Sequence, residues 1–357
     1  MPKLTAISGV GAKGPACFLY ENDGQRLLLD LGRGPDGDCL PVLDGIGRID
    51  AILFSHGHVD HTGGIVLWEA LGRPPLYATR PTIALSLHPQ LKTATALEEC
   101  TEVLGISVET GPCGHAPGAV WMRLGGDGGL VYSGDVSLES TLFRSSLPPR
   151  AQALVFDASY GVADVPLDEQ IVAIDAASGG TVLFPCPAGG RGLEIARHYL
   201  DKGARVSLCP AHRQVAEVLL SFADWLTPGG HGVLEGLLTR CDTLEAGAQI
   251  DGVMIAAGPN AERGVAQALA ARMIAEKRGR IIFTGHIAAG RPSETMIESG
   301  HARFLRWNVH PRLSEQRALI EAVRPKHALA AFCHPPELAE LRAETGWPIA
   351  NDNVLEW

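Results

Sequence analysis

The first 160 residues alternate short apolar stretches with polar turns. Three stretches of six or seven residues open the chain, LTAISG, ACFLYE and RLLLDLG, and an Asn-Asp-Gly turn at 22–24 separates the last two. Short runs bounded by such residues are typical of strands in β-hairpins. The pattern therefore predicts an antiparallel start, followed by a buried strand over 49–56, a helix over 64–72, a hairpin over 119–136 and a strand over 151–161.

A different rhythm begins near Leu167. Amphipathic stretches of helical length now alternate with short apolar runs, such as LDEQIVAIDAASGG before TVLFPCP and ERGVAQALAARMIAEKRG before RIIFTGH. Alternation of this kind favours a parallel sheet that is covered by helices. The tail, from 314 to 346, repeats the same alternation. The chain is therefore predicted to be an α/β protein without an internal repeat of fixed period.

Composition and charge narrow the class of protein. With 357 residues, the chain is long enough for two domains or for one domain with a large insertion. Its 46% hydrophobic and 20% charged residues are ordinary for a globular protein, and its net charge of −10 argues against a broadly basic surface for nucleic acid. We expect no signal peptide and no membrane association, because no apolar run approaches the ~18 residues of a spanning helix. The eight cysteines form no CxxC pair, so a reducing cytoplasm is expected.

Three histidines and an aspartate crowd one short stretch, FSHGHVDHTGG, which follows the apolar run IDAILF. In an extended H-x-H segment both imidazoles point the same way, so His56 and His58 fit one metal ion. Asp60 and His61 fit a second ion beside it. Neutral imidazoles with a carboxylate suit zinc, and paired catalytic metals lie ~3.5–4 Å apart with a bridging ligand. A histidine-rich surface loop, the alternative, would not explain the buried strand and the glycines that fix this loop.

This stretch resembles the HxHxDH signature of the metallo-β-lactamase superfamily, which folds as an αββα sandwich. Other parts of that pattern are present in order: LLLDLG supplies Asp30, GHAPGAV supplies His115 and YSGDV supplies Asp135. The resemblance implies that His115 completes the first metal site and that Asp135 bridges the two metals. It also implies that Asp30 steadies the ligand residues from behind.

The second half is similar to the β-CASP nucleases, the group that includes ribonuclease J and the pre-mRNA 3′-end processing endonuclease. The similarity lies in DASYG, GGTVLFPCPAGGRGLEIARHYL, GRIIFTGHIAAGRPSE and WNVHPRLSEQRALIEAVRPKHALAAFCH. It implies that Asp157 and His310 form the acid pair beside the scissile phosphate and that His334 is the last ligand of the second metal. Asp157 stands where the group more often has Glu. Pro311 follows His310 in place of a small residue, and Pro335 follows His334 in place of Gly.

The resemblance also implies a domain organisation. An inserted α/β cassette of β-CASP type, residues 163–307, would divide the metallo-β-lactamase domain into residues 1–162 and a C-terminal return of residues 308–357. The cassette holds 14 Lys and Arg and 16 Asp and Glu, so it has no basic stripe. Any contact with phosphate would be local. Arg191 in AGGRG and Arg291 in AAGRPSE are the candidates, because each follows an apolar strand beside glycines.

These features predict an enzyme: a two-zinc phosphodiesterase, with manganese as an alternative metal, that cleaves RNA or single-stranded DNA. Metal-activated hydroxide would attack the phosphorus, with Asp60 taking part as a metal ligand. His310, held by Asp157, would protonate the leaving oxygen. The choice between RNA and DNA, and between endonuclease and exonuclease action, stays open. The oligomeric state also stays open, with a homodimer as one option.

The leading alternative is a small-molecule metallo-hydrolase, such as a thioesterase or a cyclic phosphodiesterase, with the cassette as a lid. Such an enzyme would need neither a strand-binding cassette nor His310. A binding subunit without activity is disfavoured because all seven predicted metal ligands are present. A diiron oxygen-reducing protein is disfavoured because His58 occupies the position at which proteins of that group resemble one another by carrying a Glu.

Overall fold

The computed structural model describes residues 1–357. The chain forms two compact units. The first unit contains residues 1–138, 144–164 and 310–357, and the second unit contains residues 139–143 and 165–309.

The N-terminal part of the first unit supplies eleven strands and two short α-helices. The strands are β1 (Lys3–Ser8), β2 (Cys17–Asn22), β3 (Gln25–Leu29), β4 (Ala51–Leu53), β5 (Leu76–Ala78), β6 (Thr95–Ala96), β7 (Glu102–Val103), β8 (Ile106–Pro112), β9 (Val120–Leu124), β10 (Leu130–Tyr132) and β11 (Ala153–Asp157). The helices are α1 (Val59–Thr62) and α2 (Arg80–Leu85). Short 3₁₀ turns lie at Gly63–Leu67, Pro89–Thr93, Leu97–Glu99 and Gly126–Gly128.

The second unit alternates helices with strands. In chain order its elements are α3 (Leu167–Ser178), β12 (Val182–Cys186), α4 (Arg191–Asp201), β13 (Val206–Leu208), α5 (Pro210–Leu219), α6 (Gly230–Arg240), β14 (Asp242–Thr243), β15 (Val253–Ala257), α7 (Gly264–Glu276), β16 (Arg280–Phe283), α8 (Pro292–Glu298) and β17 (Arg303–Phe304). A 3₁₀ turn at Ala223–Trp225 separates α5 from α6. The chain then returns to the first unit with α9 (Leu313–Val323), β18 (His327–Ala331), α10 (Pro335–Thr345) and β19 (Val354–Glu356).

Two mixed sheets form the centre of the first unit. One has the strand order β19-β1-β2-β3-β4-β5-β6 and the other β18-β11-β10-β9-β8-β7. The sheets face each other, since the ring of Phe18 on β2 lies 5.3 Å from that of Tyr132 on β10. Side chains of α9 and α10 pack on the far side of the second sheet, and those around α2 pack on the far side of the first. The predicted αββα sandwich is thus confirmed.

The local sequence pattern explains how the first sheet begins. Strands β2 and β3 pair antiparallel from Phe18 with Leu29 to Asn22 with Gln25. Asp23 and Gly24 turn the chain with φ values of 49° and 78°, the left-handed conformation that tight hairpins require.

The predicted helix over 64–72 was wrong. Only the 3₁₀ turn Gly63–Leu67 forms there, because the Gly64 amide donates to Leu31 O instead of extending a helix. Trp68 then closes the loop by donating its indole N–H to Pro74 O at 2.8 Å.

The sheet of the second unit is parallel throughout, with the order β14-β13-β15-β12-β16-β17. Leu183, Met254 and Phe283 from its strands are fully or almost fully buried against Leu269 and Met273 of α7. This confirms the parallel α/β layer that the alternating pattern predicted. None of the ten α-helices is long and apolar enough to cross a membrane.

Segment 139–143 joins the second unit through a buried carboxylate. Glu194 on α4 accepts hydrogen bonds from the Thr141 amide at 2.7 Å and from Ser140 Oγ at 2.8 Å. Burial, opposed by these donors, raises the pKa of Glu194 above its ordinary value. The cassette predicted from the sequence begins at residue 163 and leaves out segment 139–143. The sequence does not reveal this segment because a short loop that is held by one glutamate has no periodic pattern.

One glycine fixes how the histidine stretch approaches β3. A Cβ atom on Gly32 would lie 1.7 Å from the carbonyl oxygen of Asp60 and 2.9 Å from the amide nitrogen of Ala16. The Gly32 amide itself donates to Ala16 O at 2.8 Å. Three segments of backbone therefore meet where only glycine fits.

We predict that Gly32→Ala lowers the free energy of unfolding by about 3 kcal/mol, the upper range for an inserted methyl in a packed site. Gly247→Ala is the matched control, because no atom lies within 4 Å of the Cβ that it would add. Urea denaturation measures both variants. Equal midpoints for the two variants would contradict the packing described here.

Candidate metal centre and acid pair

The histidine stretch begins where the buried strand β4 ends. His58 precedes the single helical turn α1, and its carbonyl accepts hydrogen bonds from the amides of His61 and Thr62 at 3.0 and 2.9 Å. This turn brings His61 back beside His56, with 4.0 Å between the ring centroids. The short spacing of the motif therefore becomes one compact group of imidazoles.

The first donor group consists of His56, His58 and His115, whose ligand atoms all lie within 4.8 Å of one another. His115 Nε2 lies 3.0 Å from His58 Nδ1, close to the ~3.3 Å between two nitrogens that share one zinc ion. Burial and the three neighbouring imidazoles lower the pKa of His56 well below its ordinary value. His56 is therefore neutral and offers a lone pair.

Asp135 links this group to a second one. It follows β10, and its Oδ2 lies 3.5 Å from His115 Nε2 and 4.0 Å from His56 Nε2. Its Oδ1 lies 3.2 Å from His61 Nε2, and His56, His61 and Asp135 form a second donor group. Burial by itself would raise the pKa of Asp135, but His61, Lys13 and His310 hold it well below its ordinary value.

The residues present fit a metal ion. His56 Nε2 and Asp135 Oδ1 are buried atoms that make no hydrogen bond within the protein. A buried lone pair without a partner is costly, and cations bound by these donor groups would give both atoms a partner.

Asp30 holds the metal-donor loop from behind. Its Oδ2 accepts hydrogen bonds from His61 Nδ1 and Ser55 Oγ, both at 2.7 Å, and from the Tyr132 hydroxyl at 2.5 Å. Its Oδ1 accepts from the Ser55 amide at 2.7 Å. His61 thus donates through Nδ1 and turns Nε2 toward Asp135. Burial opposes charge on His61, but Asp135 and Asp30 more than offset it and raise the pKa of His61.

His310 and Asp157 form a pair beside these groups. His310 Nδ1 lies 2.8 Å from Asp157 Oδ2 and 3.6 Å from Asp135 Oδ2. Its ring centroid lies 4.8 Å from that of His115, and His115, Asp135 and His310 form a third donor group. Asp157 is fully buried at the end of β11.

Two residues predicted as ligands lie outside the three donor groups. Asp60 is half-buried in α1, and its Cβ lies 3.5 Å from the position of a Cβ on Gly14. His334 is exposed and precedes Pro335 at the start of α10. Their role in binding a second metal stays a prediction.

Sequence reasoning missed Lys13, which lies in the glycine-rich loop between β1 and β2. Its ammonium group donates to Ser159 Oγ at 2.9 Å and lies 3.0 Å from His310 Nε2. Burial by itself would lower the pKa of Lys13, but Asp135 and Asp157 together with other neighbours raise it, so the group is charged. A single lysine in a loop carries no motif that could have identified it.

The two candidate phosphate-binding arginines belong to the second unit. Arg191 is buried at the first position of α4, and its Nε donates to Thr284 Oγ1 at 3.0 Å. Its guanidinium occupies the space that Gly285 leaves, since a Cβ on Gly285 would lie 2.1 Å from an Nη atom. Arg291 is half-buried and precedes α8. Contact of either residue with phosphate stays a prediction.

Comparisons with known proteins agree with this geometry. Residues 10–173 match the family model described as metallo-beta-lactamase superfamily, the same superfamily that the histidine stretch resembles. It is 30% identical over 254 residues to the transcription termination factor FttA of Cenarchaeum symbiosum, covering 56% of this chain and 39% of that protein. It is also 30% identical over 226 residues to ribonuclease TTHA0252 of Thermus thermophilus, covering 53% of this chain and 52% of that protein.

The chain thus spans about half or less of the length of these curated relatives. A solved structure of a protein of unknown function from Enterococcus faecalis V583 matches 94% of this chain and 95% of its own, with a TM-score of 0.57 and 13% identity. That likeness concerns the fold alone.

We predict that the protein purifies with bound divalent transition metal and that His58→Ala removes metal from the first donor group. His88→Ala is the matched control, because His88 belongs to none of the donor groups. Elemental analysis of protein prepared without chelator gives the metal content of each. Wild-type protein without bound transition metal would contradict the assignment.

Proposed function

We propose that the chain is a metal-dependent phosphodiesterase that cleaves RNA or single-stranded DNA. The observation that carries the proposal is the His310–Asp157 pair, whose imidazole lies beside the metal-donor groups. The leaving oxygen of a nucleic-acid phosphodiester needs a proton, and an acid held beside a metal centre can supply it. Similarity to a protein named ribonuclease supports a nucleic-acid substrate.

We further propose that the resident metals are two zinc ions, with manganese as the alternative. The first would be held by His56, His58, His115 and Asp135, and the second by Asp60, His61, Asp135 and His334. The imidazole-rich donor set supports zinc, and the two oxygens of Asp135, which face different histidines, support a bridging role. When bound, the metals supply activated water near neutral pH and neutralise charge on the phosphate.

The acid pair performs the proton transfer in this proposal. Asp157 Oδ2 accepts a hydrogen bond from Nδ1–H of His310, so Nε2 is the nitrogen that remains for the leaving oxygen. His310 is the general acid in this proposal, and Asp157, 2.8 Å from Nδ1, fixes its orientation.

In this proposal residues 163–307 form a β-CASP-like inserted domain that contacts the nucleic acid strand. Arg191 and Arg291 each follow the carboxyl end of a parallel strand, where ligands of open α/β sheets commonly bind. We place the protein in the cytoplasm, since none of its eight cysteines forms a disulfide. The nucleic acid is its partner, and a homodimer is one arrangement that this proposal allows.

We predict that His310→Ala keeps its metal but slows oligonucleotide cleavage by roughly 10²–10⁴-fold, the usual worth of a positioned acid. Hydrolysis of bis-p-nitrophenyl phosphate should fall much less, because its nitrophenolate leaves without a proton. Turnover of both substrates and elemental analysis test this together. An equal loss on both substrates would show that His310 is not the general acid.

We predict that Arg291→Ala weakens binding of single-stranded oligonucleotides and flattens the log–log salt dependence by about 0.7, the contribution of one phosphate contact on a single strand. Hydrolysis of bis-p-nitrophenyl phosphate should be unchanged. Arg278→Ala is the matched control, because Arg278 is exposed at the opposite, amino-terminal side of β16. Arg191→Ala should behave like Arg291→Ala if its buried guanidinium reaches phosphate.

The outcome also separates the two predicted classes of enzyme. If oligonucleotides resist cleavage while a thioester or a cyclic phosphate is hydrolysed, the protein is a small-molecule metallo-hydrolase and the nuclease proposal fails.

A further inference from the structure

Lys13 places a cation against the acid pair. The ammonium group touches two neutral acceptors, Ser159 Oγ at 2.9 Å and His310 Nε2 at 3.0 Å. An ammonium group carries three N–H donors, so two hydrogen bonds leave one donor for another acceptor. Its aliphatic stem is half-buried near the ring of Phe332, 5.7 Å from Nζ, and its loop brings no other charged residue to the site.

The arrangement fixes which nitrogen of His310 carries a proton in the free protein. Lys13 can only donate, so His310 Nε2 accepts from it and Nδ1 donates to Asp157. Nε2 is the nitrogen that the proposed reaction needs. Lys13 must therefore exchange Nε2 for another acceptor before His310 can face a leaving oxygen.

An anionic oxygen is the acceptor that suits this exchange. In this exchange the ammonium replaces a neutral acceptor, the imidazole, by a negatively charged one, and attraction between opposite charges favours the charged acceptor. The side chain has the four-carbon stem that lets its ammonium move from one acceptor to a neighbouring one. Three carboxylates attract Nζ, those of Asp135, Asp157 and Asp60. Asp157 lies 2.8 Å from His310, and Asp135 lies 3.2 Å from His61. Neither of these two carboxylates accepts a hydrogen bond from the ammonium group.

We propose that Lys13 binds the phosphate group that is cleaved, giving up its hydrogen bond to His310 Nε2 when that phosphate arrives. This inference rests on the proposed phosphodiesterase function and adds a residue of this chain to it. Lys13 then touches a non-bridging oxygen of the phosphodiester. His310 Nε2, which no longer accepts a hydrogen bond from Lys13, is free to take up from water the proton that it passes to the leaving oxygen. Substrate binding and readiness of the acid are thereby linked through one hydrogen bond.

The competing role for Lys13 is structural. Its charge could serve only to offset the carboxylates of Asp135 and Asp157 and so hold the loop between β1 and β2 in place. Such a lysine would stabilise the fold and the metal-donor groups but would not sense phosphate.

Two variants and one control distinguish these roles in the metal-loaded protein. Lys13→Met keeps the length of the side chain without its charge, and Lys13→Arg keeps the charge. Lys3→Met is the control, since Lys3 is exposed on β1 and pairs with Glu356. Calorimetric titration with inorganic phosphate, kcat/KM for bis-p-nitrophenyl phosphate and elemental analysis are measured for each.

We expect Lys13→Met to weaken phosphate binding and to lower kcat/KM for the small diester by about 10- to 100-fold, the worth of one charged hydrogen bond. Metal content should be unchanged, Lys13→Arg should restore part of both losses, and Lys3→Met should match wild type. The small diester must sense Lys13 because the contact is to the cleaved phosphate, whereas Arg291→Ala should leave it unaffected.

The proposal is overturned if Lys13→Met binds phosphate as wild type does, or if it loses metal in proportion to its loss of phosphate binding. The second outcome would assign Lys13 the structural role. If wild-type protein hydrolyses no phosphodiester, the proposed function fails. The phosphate titration still decides whether Lys13 is an anion-binding residue, because it measures binding without turnover.

Discussion

The buried carboxylate of Asp30 is the constraint on which the first unit depends. A buried charge without donors costs several kcal/mol. Its four hydrogen bonds come from Tyr132 on one sheet and from Ser55 and His61 at the end of a strand of the other. The same bonds that satisfy Asp30 therefore align the two sheets and turn His61 Nε2 toward Asp135. The carboxylate of Asp30 thus contributes both to the stability of the sandwich and to the geometry of the candidate metal centre.

Backbone crowding makes this arrangement specific. Gly32 lets the segment after β3 contact the carbonyl of Asp60, and Gly134 has a φ of 55° where an added Cβ would lie 2.8 Å from Ser55 Cβ. Both glycines adjoin residues that bear donors, Asp135 in one case and the histidine stretch in the other. The metal-donor side chains can converge because these two glycines place no side chain between the backbone segments that meet there.

The electrostatics of the site are those of a cation-binding centre. His56 is neutral and one buried oxygen of Asp135 makes no hydrogen bond, so both favour a bound cation. The pKa of His61 is raised because two carboxylates, Asp135 and Asp30, stabilise its positive charge. Lys13 supplies one positive charge from a loop of the first sheet. His310 and Asp157 lie next to this charge.

The sequence by itself determined most of the elements and the local chemistry, although it predicted a helix over 64–72 where only a 3₁₀ turn forms. Hairpin turns, the parallel layer of the second unit and the grouping of His56, His58 and His61 depend on residues close together in the chain, where periodicity and spacing act directly. Only the tertiary structure decided which distant loops converge. It brought His115 to His58 across 57 positions and Lys13 to His310 across 297, and it left Asp60 and His334 outside the donor groups. Such meetings depend on sheet packing and on close backbone contacts, which no local pattern of side chains encodes.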